Sequence, residues 1–466
     1  MHLPFVRRPH RLLIPLLLFP AGLPGLVGCA TPAWDSSWQA PRPLGAELAT
    51  RRPPRTPGAA LPHTVPDEPR GLLRLGEALA LALAHNPELA AFSWEVRQAE
   101  ARTLQAGLRP NPEIGFEVEN IAGSGPFRSF DEAETTLQLG QLIETAGKRQ
   151  KRRRVARGEQ DLAGWDYETL RLDVFTETTR RFVAVLAAQE ELRLAEERLR
   201  LADAVLDTVR VRVREGAASP VERTRARVAV SAARVSRDQA AAELEASRTE
   251  LAALWGSTEP RFLAVQGDLD HTQAPPAVDV LLARAEQNPD LARWSSEIAL
   301  REARVELERA RRFPNLKVAV GPRYLSGSGD TALVGGVSLP IPLFDRNQGA
   351  ALAAQYGLAR ARQARSAAEV RVRSELRVAH RRLEAAFQRV SSISQQSLPA
   401  AEAAYQQTLD GFRRGLFRYL DVLDAQRTLF DLRSNRIEAL ADYHQAVAQL
   451  ERLSGEALPE TQTDRP

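Results

Sequence analysis

The sequence predicts a mainly α-helical protein with a small β part, built as two copies of one plan. Three observations carry that expectation: motifs that recur roughly 200 residues apart, heptad seams in very long proline-free segments, and four short runs of strict alternation.

The repeat is read from local matches. His85-Asn86-Pro87-Glu88-Leu89 corresponds to Gln287-Asn288-Pro289-Asp290-Leu291, and Pro112 corresponds to Pro314 at the same spacing. Glu215-Gly216 corresponds to Arg414-Gly415. Each half runs helix, strand, strand, long helix, helix, an order that chance matches would not keep. The expected bounds are 71–260 for the first repeat, 261–276 for a linker, 277–455 for the second repeat and 456–466 for a C-terminal tail.

The helices are long. No proline lies between Pro126 and Pro220, and a continuous helix from Lys148 to Glu215 would run to roughly 100 Å at 1.5 Å per residue. Within it Val185, Leu192, Leu199, Leu206 and Val213 recur every seventh residue, with Ala188, Ala195, Ala202 and Val209 in the second seam position. Such a seam buries a helix against a partner, and the small residues permit close approach. The C-terminal helix repeats the pattern through Leu429, Leu432, Ala439, Tyr443, Ala446, Leu450 and Leu453, interrupted at Arg436. Gly216 with Pro220, and Gly415 before Asp421, mark the turns that fold each long helix into an antiparallel coiled-coil hairpin.

Four strands are expected at about 113–120, 133–142, 315–324 and 332–340. Ile114, Phe116 and Val118 alternate with glutamates and glycine, and Leu316, Val318 and Val320 alternate with Lys317, Ala319 and Gly321. The lengths suit a tilted bilayer crossing. Taken alone, the runs favour two small soluble hairpins packed on helices. Four strands cannot close a barrel, because the smallest membrane barrels use about eight and an open edge in lipid leaves backbone groups unpaired. A membrane role therefore needs several chains sharing one barrel.

The first 28 residues read as a signal peptide: Arg7, Arg8 and Arg11, the apolar run Leu12–Phe19, then Leu26-Val27-Gly28-Cys29. That last stretch resembles the lipoprotein cleavage box, which makes Cys29, the single cysteine, the expected lipidated residue. An ordinary signal with an incidental cysteine is the other reading. Residues 29–70 are expected to be a tether without a packed core, since nine prolines fall between 32 and 70. No later stretch reaches the roughly 20 apolar residues of a spanning helix.

Charge and composition exclude several classes. The formal charge of +4 falls close to neutral once the signal is removed, which argues against nucleic acid. His85, His380 and His444 stand singly and read as structural or surface residues, so no metal site is expected. No phosphate-cradling loop or nucleophile elbow appears, so neither a cofactor nor enzyme activity is expected. The basic run Lys148–Arg154 is either a solvated helix face or a contact for anionic lipid headgroups at a membrane rim.

With these residues in view, the chain from about 70 to 454 resembles the TolC family of outer-membrane efflux proteins. The stretches Leu142–Arg149 and Ile341–Gly349 most resemble the branch that serves heavy-metal cation pumps, the cobalt-zinc-cadmium and copper-silver resistance systems. The resemblance implies a homotrimer whose strands form one twelve-stranded outer-membrane β-barrel and whose hairpins form a periplasmic α-barrel. It also implies a periplasmic adaptor and a proton-driven inner-membrane transporter as partners, with this chain as a passive conduit. Other occupations of the same plan are an exit duct for multidrug efflux or type I protein secretion. A periplasmic coiled-coil adaptor is a third reading.

The resemblance implies a site as well. Asp421 and Asp424 match two family aspartates whose rings narrow the periplasmic mouth. Their spacing puts both carboxylates on one helix face, and such rings favour cations. Acidic residues in a first helical turn are also favoured by the helix dipole without any pore. The family can carry a gate arginine two residues after the turn glycine. Here that place is Phe417 and the arginine is Arg418, so the aromatics Phe412, Phe417 and Tyr419 become candidates for closure.

Overall fold

The computed structural model describes residues 38–54 and 68–458, so the signal segment and Cys29 lie outside the described residues. The first half contains β1 (Gly71–Arg74), α1 (Leu75–His85), α2 (Pro87–Gly107), β2 (Glu113–Glu119), β3 (Glu134–Ile143), α3 (Lys148–Arg214) and α4 (Pro220–Ala253). After β4 (Phe262–Gln266) the second half contains α5 (Val278–Arg284), α6 (Pro289–Ala310), β5 (Leu316–Leu325), β6 (Thr331–Ser338), α7 (Gln348–Ser392), α8 (Leu398–Arg413) and α9 (Tyr419–Ser454). Among the described residues no helix is long and apolar enough to cross a membrane.

The Asn-Pro motif closes each half on itself. Asn86 Oδ1 accepts from Leu89 N at 2.9 Å at the start of α2, while Asn86 Nδ2 donates to the Leu254 carbonyl at the end of α4 at 2.9 Å. Asn288 does the same for α6 and α9, accepting from Asp290 N at 2.7 Å and donating to the Leu453 carbonyl at 2.8 Å. One amide thus satisfies an orphan donor at one helix start and an orphan acceptor at another helix end.

The four expected strands form one antiparallel sheet in the order β2-β3-β5-β6, with Ile143 opposite Leu316 where the halves meet. They are not hairpins tucked under helices. Ile114, Phe116, Leu333 and Val337 are 78%, 69%, 79% and 71% exposed, so one sheet face is apolar and uncovered within the chain. The opposite face is polar: Arg323 reaches Glu119 at 2.9 Å and Glu134 at 2.7 Å, and Lys317 reaches Glu113 at 2.7 Å. Among the described residues, strands β2 and β6 end the sheet with free edges.

The helix α3 is 67 residues long and packs antiparallel on α4. Val185, Ala188, Ala202, Leu206 and Val209 of the predicted seam are buried. The second hairpin has a fault. Leu376, Leu383 and Val390 step by seven along α7, and Leu398, Tyr405 and Phe412 step by seven along α8, but eight residues separate Val390 from Leu398. The extra residue is absorbed by a π-helical turn at Ile393–Ser397, which also accommodates Pro399 in the first turn of α8. Arg436, the break in the C-terminal seam, faces this turn and donates to Ser394 Oγ at 3.0 Å and to Asp270 Oδ1 at 2.8 Å.

Two segments differ from expectation. Within 261–276, Phe262–Gln266 is a strand that pairs in parallel with β1 and buries Phe262 and Val265 beside Leu73. Part of the tether is packed rather than free. Leu44 is buried against Leu79, Leu83 and Phe175, and Arg171 donates to the carbonyls of Arg42, Leu44 and Gly45. Glu168 completes the clamp by accepting from Arg42 N at 2.6 Å and from Arg171 Nη2 at 2.7 Å.

Candidate functional site

The two hairpins end in tips of the same construction. At the first, Ala217 N donates to Arg212 O at 2.8 Å and Gly216 N to Val213 O at 3.3 Å; at the second, Leu416 N donates to Gly411 O at 2.8 Å and Gly415 N to Phe412 O at 3.0 Å. This paired bonding ends a helix with a left-handed residue, and the φ values of +71° at Gly216 and +83° at Gly415 supply it.

The sequence-predicted residues Phe412, Phe417, Tyr419, Asp421 and Asp424 meet at the second tip. Phe412 and Tyr419 are buried in the tip's own core, 1% and 2% exposed, with ring centroids 6.3 Å apart. Burial and the nearby Glu222 carboxylate push the Tyr419 phenol up to about 12. Phe417 is the aromatic left accessible. Its ring lies on Gly411, where an added Cβ would come within 2.2 Å of it, so any larger residue at 411 would displace the ring.

The two aspartates are exposed but differ in their local work. Asp421 Oδ2 accepts from Arg418 N at 2.8 Å and so caps the start of α9. Asp424 lines a groove of about 500 Å³ among α3, α4 and α9 with Arg198, Arg225 and Arg427. The carboxylates thus share a tip, and only one is occupied in holding the helix. Cys29 lies outside the described residues.

Arg212 was not singled out by sequence. Its Nη1 donates to the Phe412 carbonyl, and its guanidinium sits 4.5 Å from the Phe412 ring centroid, tying the first tip to the second. Nothing in its sequence context, one arginine among several near the end of α3, marks it out.

The basic run after β3 is used internally. Lys148 is buried and donates to Phe313 O and Asn315 Oδ1. Arg152 pairs with Glu144 and also donates to the Ala106 and Leu108 carbonyls at the end of α2. A solvated helix face therefore describes only part of the run. His380 and His444 contact the carbonyls of Pro276 and Leu269. Among the described residues no group of three or more His, Cys, Asp or Glu is arranged to hold a metal.

Residues 78–257 and 282–456 match the outer membrane efflux protein family. The chain belongs to that family of outer-membrane channels and is not an enzyme. It is 34% identical over 398 residues to the cobalt-zinc-cadmium resistance protein CzcC of Cupriavidus metallidurans, covering 85% of this chain and 94% of the relative. It is 28% identical to the nickel-cobalt-cadmium resistance protein NccC of Alcaligenes xylosoxydans xylosoxydans, covering 68% and 69% of the two chains. The solved structure of CusC, described in terms of transmembrane channel formation, superposes with a TM-score of 0.69 at 17% identity over 88% of this chain and 99% of that one.

Proposed function

We propose that the chain is the outer-membrane duct of a tripartite pump that expels heavy-metal cations, working as a homotrimer anchored through an acylated Cys29. The observation that carries this reading is the 34% identity with a cobalt-zinc-cadmium resistance protein along 94% of that relative's length. The sheet supports an oligomer, and the trimer is the number that the family resemblance implies. The sheet's free edges at β2 and β6 need partners in lipid, and three copies of four strands exceed the about eight needed to close a barrel. The uncovered apolar face would meet hydrocarbon, and the charged face would line the lumen.

In this reading the hairpins form a periplasmic tunnel, a periplasmic adaptor and a proton-driven inner-membrane transporter supply the cargo, and the duct adds no energy. Asp421 and Asp424 from three chains form two stacked acidic rings at the mouth, which admit cations more readily than anions. Deletion followed by survival tests on zinc, cobalt, cadmium, copper, silver and hydrophobic antibiotics is the decisive experiment. Sensitivity restricted to the metals is expected. Antibiotic sensitivity alone would reassign the cargo, and an osmotically released monomer in place of heat-resistant outer-membrane trimers would refute the duct. Mass spectrometry of the mature N-terminus, with a Cys29→Ser control, tests acylation.

A further inference from the structure

The helix-facing ends of all four strands converge on one collar, formed by residues 108–112, 144–147, 311–315 and 339–347. Several of its cations have protein partners. Arg152 pairs with Glu144, Arg154 with Glu306 at 2.7 Å, and Arg311 with Glu308 at 2.7 Å.

Arg312 and Arg346 do not follow that pattern. They line one open cavity of about 600 Å³ together with Leu343, Phe344 and Leu352, and no carboxylate lines it. Arg346 Nε donates only to the Leu343 carbonyl, at 3.3 Å, and the Arg312 guanidinium makes no hydrogen bond or ion pair among the described residues. The adjacent acids are committed elsewhere: Asp345 accepts from Asn347 N at 2.9 Å, and Glu308 takes Arg311 and Asn347 Nδ2. Within one chain the apolar wall is open, with Leu343, Phe344 and Leu352 at 63%, 91% and 47% exposure.

Two exposed guanidiniums without a carboxylate partner, beside an exposed hydrocarbon wall, suit a ligand that carries both an anion and an apolar body. Guanidinium groups bind phosphate with paired, charge-assisted hydrogen bonds. A free phosphate would leave the wall wet, whereas a lipid would cover it. We infer that this collar cavity seats an anionic phospholipid, its phosphate bridging Arg312 and Arg346 and an acyl chain lying along Leu343, Phe344 and Leu352. The inference rests on the reading that the sheet crosses a bilayer, since the collar then falls at the periplasmic headgroup level.

The test uses the full-length chain reconstituted in vesicles of equal parts phosphatidylglycerol and phosphatidylethanolamine, then extracted mildly, with retained lipid counted by native mass spectrometry. Phosphatidylglycerol should be retained preferentially, and the preference should fall about five-fold for each of Arg312→Gln and Arg346→Gln. Phe344→Ser should lower total lipid while keeping the headgroup preference. Arg414→Gln, an equal charge change at a hairpin tip, should alter neither. Heat-resistant trimers are scored in parallel: their absence from the wild-type chain would mean that the membrane reading has failed, not the lipid site. Equal retention of both lipids by wild type and variants overturns the inference. So does loss of the preference on adding inorganic phosphate at constant ionic strength, or a collar substitution that weakens trimers but leaves retained lipid unchanged.

Discussion

Arg212 on α3 and Phe412 on α8 join the two tips of a single chain through a hydrogen bond to a carbonyl and a guanidinium held over a ring. A charged donor to a carbonyl contributes about 1.5–3 kcal/mol and the ring contact about 0.5–1 kcal/mol at an exposed site. Arg212→Gln should therefore free the second tip locally, with amide exchange across residues 411–420 faster by about 30-fold for a loss of about 2 kcal/mol. Unchanged exchange there would show that the tips are held by other contacts.

The two aspartates can be separated by their local roles. Asp421→Ala removes a cap and should cost α9 about 1 kcal/mol in addition to any effect on conduction. Asp424→Asn removes charge from a carboxylate that caps nothing, so it isolates the ring. Single-channel recordings should show weaker cation selectivity and weaker block by divalent cations for both. Unaltered values for Asp424→Asn would dispose of the charged ring at that position.

Glu168 and Arg171 are 3% and 1% exposed and hold residues 42–45 against the helical body. Removing one member of a buried pair costs about 3–5 kcal/mol because the other charge is left uncompensated. Glu168→Ala should release this segment, with trypsin cutting after Arg51 well before any cut in α3. Protection equal to wild type would mean that Leu44 and its apolar neighbours suffice.

Burial holds the His444 imidazole below its ordinary value of 6.5, and His271 acts in the same direction, while the Leu269 carbonyl, Asp268 and Asp270 oppose it. A histidine with a depressed folded value supports the fold only while neutral. Its contribution is full above 6.5 and is lost as the pH falls from there through the lower folded value. Asp166 and Glu191 are raised by burial and act in the opposite sense, their penalty being relieved as acid protonates them. The thermal midpoint should drop on mild acidification, and His444→Gln should flatten that drop. An equal drop in the variant would assign it to other groups.

The sequence was most legible where a pattern is sampled many times. Seven-residue steps along α3 and two-residue steps along β2, β3, β5 and β6 located the seam and the sheet within a few residues. The Asn-Pro repeats were visible as motifs, though their double bonding to Leu254 and Leu453 needed the structure. What escaped was fixed by single long-range contacts. Strands β1 and β4 have four and five residues, too few for a period to register. The clamp on Leu44 depends on one arginine meeting three carbonyls from a distant segment. Lys148 and Arg152 sit in a run whose composition suggests solvent, and only the meeting of α2, α3 and residues 313–315 turns them inward. Both readings of Asp421, cap and pore charge, were open from its position alone, and the cap is the one that a hydrogen bond now documents.

The π-helical turn at Ile393–Ser397 also pins the phase of everything beyond it. One residue turns an α-helix by about 100°, so deleting Gln396 would swing Tyr405 and Phe412 off the face that α9 covers and thrust the proline ring into the coil of the preceding turn. The surplus residue and Pro399 cancel each other's damage at one fixed place, where Arg436 holds them from across the hairpin. The first hairpin has no such fault and behaves as an unbroken rod. The two hairpins of one chain are therefore unequal in build, the second carrying a single joint that the first lacks.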